Sequence, residues 1–240
     1  MIELLYNQRP FTPLSKVEQA GSLGLLRPSI VNRIKRRMKY VEEGVARVER
    51  ASGIPYPKYY IEPALPVVSS SVEVGKVGIL YARTLPLVDE RGLEIYVELS
   101  APLILHSVRT TIHAVLAHEF LHYLELVRRF IKLETISDEQ PFTLFESRYF
   151  DSSKLYDAKR VLKDRALVKL IERRFSNGLV DEKLNQKVAK LWIGKKMPMI
   201  KLSPEIGTIK IPISSILNAR FDPLLVSKLN EWERESSEGV

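Results

Sequence analysis

Residues 118–122 read His-Glu-Phe-Leu-His, in the middle of a stretch whose apolar residues keep a helical period from Pro102 to about residue 133. A helix carrying Val115, Leu116, Leu121 and Leu124 beside two imidazoles and a carboxylate needs partners that bury it. Residues four apart on a helix lie about 40° from one another and about 6 Å apart in rise, so His118 and His122 can reach one tetrahedral metal ion. Glu119 lies about 60° round from His122, off the ligand position but well placed against water at such an ion. The competing reading is a half-buried helix whose two histidines are satisfied by hydrogen bonds.

The rest of the chain supplies elements to surround this helix. From Ser29, read as an N-cap, Ile30, Ile34, Met38, Val41, Val45 and Val48 follow helical spacing, and Gly53 is a natural stop. The stretch GIPYPKYYIEPALP contains four prolines and can hold only short extended pieces. Residues 72–82 and 93–99 alternate or run apolar as strands do, so two strands are expected before the motif. A polar turn, TISDEQP, precedes a helical stretch expected from near Pro141, broken around Asp151 to Ser153 and resumed to Asn177 and Gly178. A helix over 181–193, a strand around Ile206 to Ile213 and a last helix from Pro223 complete the reading.

Composition narrows the chemistry. The 240 residues contain no cysteine, so a metal must be held by His, Asp or Glu. With 45% apolar and 28% charged residues the chain reads as an ordinary globular protein. Its first residues lack the pattern of a secretory signal and no window of 18 residues is free of charge, so a cytoplasmic protein with no membrane segment is expected. The formal charge of +8 favours acidic partners, but the excess is spread over helix faces: Lys35, Arg36, Arg37 and Lys39, then Lys159, Arg160, Lys163 and Arg165, then Arg173 and Arg174, then Lys183 to Lys196. Solvated helix faces explain that distribution, and weak nucleic-acid binding through them is a secondary expectation.

A catalytic zinc needs a third protein ligand and a position open to water. The continuation Tyr123-Leu124-Glu125-Leu126-Val127-Arg128 lacks the glycine and histidine of a metzincin. Glu125 shares the histidine face but sits about 7–8 Å along the axis from the midpoint of the pair, which suits a salt bridge to Arg128 or Arg129 better than ligation. Glu134, Asp138 and Glu139 lie on the turn and could bend back. Glu146 is the better candidate, because a carboxylate among Phe142, Leu144, Phe145, Tyr149 and Phe150 is costly unless a cation compensates it. A surface glutamate paired with Arg148 or Lys154 is the alternative.

On these residues the segment resembles a zincin metalloprotease of the gluzincin type, in which the two histidines of HExxH and a downstream glutamate hold zinc. The spacing from His122 to Glu146, and the order strand, active-site helix, turn and glutamate helix, are similar to the ImmA/IrrE-like peptidases over about residues 70–155. The resemblance implies an α+β, zincin-like fold with a small mixed or antiparallel sheet on the active-site helix. It implies one zinc per chain on His118, His122 and Glu146, and an extended substrate lying along Leu93–Leu99 as the sheet edge. Gluzincins often carry an aspartate four residues after the ligand glutamate; here that position is Phe150, and Asp151 follows.

The expected organisation is an N-terminal helical segment over 1–70, a catalytic core over 71–178 and a C-terminal helical extension over 179–240. The expected activity is hydrolysis of peptide bonds in a peptide or protein, with Glu119 taking the proton of a zinc-activated water and passing it to the leaving amine. Tyr149, Arg148, Tyr156 and His106 are candidate donors to the oxyanion, and Tyr149 is carried forward as the catalytic candidate beside Glu119. His113 lies about 140° round the helix from His118 and faces elsewhere. Two alternatives stand: a nucleic-acid-associated regulatory module with a degenerate or locally acting zincin site, and a zinc hydrolase of a non-peptide amide.

Overall fold

The computed structural model describes residue 5 and residues 8–69, 77–89, 92–132, 142–143, 156–175, 179–202, 208–209, 211 and 213–237. Helices and strands mix along the chain in an α+β architecture. Helix α1 (Ser15–Ser22) leads into the long helix α2 (Pro28–Ser52). Pro28, rather than Ser29, opens α2: Arg27 is extended before it, and a ring-fixed φ with no N–H suits the first helical position. Ile34, Met38, Val41, Gly44, Val48 and Ala51 form the buried face, and Gly53, at φ 72°, ends the helix with its N–H on Glu49 O.

Strands β1 (Lys58–Glu62), β2 (Leu65–Ser69) and β3 (Val77–Ile79) are short, as the prolines dictate for the first two. Strands β4 (Ala82–Asp89) and β5 (Gly92–Ser100) form an antiparallel pair from Ala82 opposite Leu99 to Asp89 opposite Gly92. The strand expected over 72–82 divides at Leu80 and Tyr81, because the chain changes sheets there: β3 pairs with β2, whereas β4 pairs with β5. Pro86 disguises β4 in the sequence and is tolerated because β4 lies at the margin of its sheet, whose order is β1-β5-β4. Strand β5, which contains Leu93–Leu99, is therefore the central strand and not the edge; among the described residues the edge beside the motif helix belongs to β4.

Helices α3 (Ala101–His106) and α4 (Arg109–Lys132) replace the single helix expected from Pro102. Ser100 caps α3, and Ser107 turns extended at its end with Oγ donating to Leu103 O at 2.6 Å. Arg37 of α2 donates to the carbonyls of Ile104 and Ser107, so the opened turn is stitched to its neighbour. Within α4 every residue from Thr111 to Leu121 is buried, the mark of a core helix. Strand β6 (Phe142–Thr143) occupies the place where a helix was expected from Pro141; it pairs with a distant strand, and that cross-chain ladder overrides local helical periodicity.

Helices α5 (Ala158–Val161) and α6 (Arg165–Arg174) are capped by Asp157 and Asp164, and α7 (Glu182–Val188), capped by Asp181, runs into a wider turn over Ala189–Ile193. Strand β7 (Met199–Leu202) lies parallel to β2, β8 (Thr208–Ile209) pairs with β6, and α8 (Ile213–Leu217) and α9 (Pro223–Ser237) follow. These pairings run across the segments 1–70, 71–178 and 179–240: β1 joins β5, and β2 joins β7. Helix α4 feeds two apolar clusters. Ile112, Val115 and Leu116 pack with the sheets, α1 and α3, whereas Ala117, Phe120, Leu124 and Val127 pack with α6 and α9. No described helix is long and apolar enough to cross a membrane.

Under the first sheet lies a row of buried charges. Glu98 of β5 has Tyr60 beside it in β1 and Arg83 beside it in β4; Tyr60 Oη donates to it at 2.5 Å and Arg83 holds it in a fork at 2.7 and 2.9 Å. Two residues beyond Tyr60, Glu62 is fully buried against Lys16 Nζ of α1 at 3.1 Å. Burial, with the charge of Glu98 nearby, raises the Glu62 carboxyl to about 7 although Lys16 opposes the shift. Folding thus takes up a proton between pH about 4.5 and 7, and the stability that Glu62 contributes falls as pH rises through that window. Lys16→Met should cost about 3–5 kcal/mol at pH 8, where it leaves a buried carboxylate unpaired, and clearly less at pH 5, where Glu62 carries its proton. Urea unfolding of both proteins at the two pH values measures the difference.

Candidate metal centre

His118, Glu119 and His122 lie midway along α4, where its two apolar clusters meet. The helical spacing brings the imidazoles together: His118 Nε2 and His122 Nε2 are 3.1 Å apart, with the rings at 83° and their centroids 4.7 Å apart. His118 is buried and His122 half-buried, so the pair opens toward the surface through His122. Phe175, the residue that ends α6, lies flat on His118 with ring centroids 3.8 Å apart and planes 6° apart. That stack fixes the imidazole plane on one side.

Glu119 is buried, 6% exposed, against strand β4. Thr84 Oγ1 of β4 lies 2.9 Å from its carboxylate and 3.0 Å from its backbone carbonyl, so the hydroxyl can steer the side chain while anchoring the helix to the sheet. Tyr56 reaches α4 from the other side, donating to Leu116 O at 2.8 Å and stacking on Phe120. Burial and the charge of Glu119 push the Tyr56 phenol well up, so it remains a donor. Thr84, Phe175 and Tyr56 were not foreseen: each comes from a segment remote in sequence and belongs to no motif.

Glu125 is held by three guanidinium contacts at 3.0 Å, two from Arg128 and one from Arg129, as its place along the helix suggested. His113 packs on α2 and bonds the Tyr40 backbone carbonyl, facing away from His118. His106, at the end of α3, is lowered to about 4 by burial and by Arg33, Lys187, Arg37 and Lys195, so it is neutral at pH 7. Tyr156 packs on Trp232 of α9. Glu146, Tyr149, Arg148, Glu134, Asp138 and Glu139 lie outside the described residues. Among the described residues no group of three His, Asp or Glu side chains is placed to hold a metal ion; the structure brings His118 and His122 together, with Glu119 turned to Thr84 of β4.

Several of the basic side chains are engaged within the protein: Lys35 with Glu18, Arg37 with helix-end carbonyls, Lys159 with Glu172 and Arg174 with Asp181. Comparison with protein-family models, curated proteins and solved structures finds no match to the chain.

Because Glu125 and Arg129 are both buried, Glu125→Gln should lower stability by roughly 3 kcal/mol while changing metal affinity no more than about 10–100-fold. Chemical unfolding and zinc titration of the same variant separate the two effects.

Proposed function

We propose that the chain is a zinc-dependent metallopeptidase of the zincin type, with the gluzincin arrangement of two histidines and a glutamate. The observation that carries the reading is the convergence of His118 Nε2 and His122 Nε2 beside a buried, hydrogen-bonded Glu119. Two nitrogens on one tetrahedral zinc at about 2.0–2.1 Å lie about 3.3 Å apart, close to the separation found here, so the donors suit the ion in spacing and in kind. His118 and His122 would hold zinc, with Glu146 proposed as the third ligand. A bound zinc supplies Lewis-acid polarisation of a carbonyl and acidifies water toward neutrality.

The remaining chemistry falls to the protein's own groups. Glu119 takes a proton from the attacking water and returns it to the departing amine. Thr84 holds that carboxylate in one orientation, and Phe175 holds the His118 ring plane. Because Thr84 belongs to β4, the strand that touches the proposed catalytic carboxylate is also an edge strand, whose outer backbone groups pair with no other described strand. An extended peptide added along β4 would gain main-chain hydrogen bonds and be led past Glu119. Strand β4 thus takes the substrate-guiding role first assigned to Leu93–Leu99. Tyr149 is proposed to donate to the developing oxyanion.

The protein should bind about one zinc per chain, and His118→Ala and His122→Ala should each abolish binding, read by elemental analysis after zinc loading. Glu119→Gln should keep zinc and fold yet lose about two to four powers of ten in turnover on an unstructured protein substrate. Glu146→Gln should weaken zinc by more than the roughly 100-fold typical of an outer partner. A wild-type protein that stays metal-free at saturating zinc would sink the proposal. Hydrolysis of small amides but not of unstructured protein would instead favour a non-peptide amide hydrolase.

A further inference from the structure

The aromatic ring that stacks on His118 is tied to a carboxylate remote from the motif in sequence. Asp181, half-buried ahead of α7, accepts on Oδ2 from Thr111 Oγ1 of α4 at 2.9 Å and from Arg174 Nη1, at the end of α6, at 2.8 Å. Its Oδ1 accepts from Leu184 N at 3.0 Å and caps α7. Three helices thus meet on one side chain. Arg174 immediately precedes Phe175, and the chain closes on itself there: Val180 N donates to the Arg174 carbonyl at 2.8 Å, and Phe175 and Leu179 form an isolated antiparallel bridge. Helix α7 is anchored in turn, because Tyr81 Oη, just before β4, donates to Asn185 Oδ1 at 2.8 Å, and Leu184 and Val188 are buried in the cluster that holds Ile112 of α4.

The place of Thr111 on α4 makes this junction bear on the histidine pair. Seven residues, two helical turns, separate it from His118, so the two side chains leave the helix about 20° apart on one face and about 10 Å apart along the axis. Asp181 is therefore bonded to the same face of α4 that carries His118 and, through Arg174, to the residue next to the ring lying on that imidazole. Apolar contact between α4 and α6 is non-directional, whereas hydrogen bonds to a carboxylate hold a distance and a direction. The torsion that turns an imidazole about its own axis is broad, and a ring that must be oriented as the ion arrives loses freedom at the expense of affinity. Phe175, with ring centroids 3.8 Å apart and planes 6° apart, restricts that torsion beforehand.

We infer that Asp181 is a positioning residue for the candidate metal centre: by bonding Thr111 and Arg174 together it sets the separation of α4 from the end of α6, and so keeps Phe175 flat on His118 with Nε2 turned to His122. Its effect on metal affinity rests on the zinc reading, whereas its effect on the His118 ring is measurable in metal-free protein. The competing role is purely structural, since Asp181 caps α7 whatever lies beside His118. Asparagine separates the two. It caps a helix about as well as aspartate, so Asp181→Asn can keep the bond from Leu184 N, but its amide nitrogen cannot accept from Thr111 or Arg174.

The test follows the His118 ring protons by NMR in the metal-free full chain and zinc affinity by titration of the same samples. In the wild type the stacked Phe175 should hold the His118 ring signals upfield, and Asp181→Asn and Phe175→Leu should both return them toward the positions of an unstacked imidazole. Both variants should bind zinc about 10–100-fold more weakly, the range for groups that orient a metal ligand, while Phe175→Tyr, which keeps the aromatic face, should retain the signals and the affinity of the wild type. Asp164→Asn makes the same change at the cap of α6, where the carboxylate pairs with Arg47, and should lower stability with ring signals and zinc affinity unchanged. If Asp181→Asn does not fold, Arg174→Gln carries the same two readouts. Unshifted His118 signals in the folded variant, zinc affinity equal to the wild type's, or an equal response to Asp164→Asn would each overturn the assignment. A wild type that binds no zinc sinks the peptidase reading instead, and the ring signals alone then decide for or against Asp181.

Discussion

The close approach of α2 and α4 at Gly44 is the constraint on which the rest of the molecule depends. A Cβ placed there would lie 2.5 Å from Leu116 Cδ1 and 2.9 Å from His113 Cδ2, so any larger residue would force these two packed side chains to shift. With α2 that near, one side of α4 is closed by a helix, and β4 closes another through Thr84. The histidine pair emerges where neither covers it. One buried helix therefore presents imidazoles to two unrelated surroundings.

Much of this was legible because local chemistry and tertiary role agreed. Gly53 ends α2 and Pro223 opens α9 as read, the start of α2 lies one residue before the Ser29 cap first assigned, and the HExxH spacing by itself brings His118 and His122 within 3.1 Å. What escaped the sequence did so for physical reasons. Pro86 hid β4, although an edge strand accepts proline, and the short alternation of Met199–Leu202 carried too few residues to stand out as β7. The division at Ser107 depends on Arg37, some seventy residues earlier, taking the freed carbonyls. Thr84 and Phe175 shape the candidate centre only because folding brings them there, and no periodicity in their own segments marks them.

The buried row of Lys16, Glu62, Tyr60, Glu98 and Arg83 is a less economical part of the design. Apolar side chains of similar volume would often cost less than ions brought out of water, so stability alone does not account for it. Its geometry favours one arrangement. Glu98 accepts from both flanking strands at matching register positions, and a shift of one residue in either pairing would turn a hydrogen-bonding partner, Tyr60 or Arg83, to the opposite face. The row ties the register of β4 to that of β1, and β4 is the strand that carries Thr84 to Glu119.

The parallel pairing of β2 with β7 joins Leu65–Val68 to Met199–Leu202 across more than half of the chain. During synthesis the motif helix and the first sheet can form while β2 still lacks that neighbour, its near partner being the three-residue β3. Non-local parallel pairings form slowly because the loop entropy is lost before the contacts repay it. Completion of the second sheet is thus a late event in folding. Until residue 202 has left the ribosome, the apolar margin of β2 stays open to pairing with other chains.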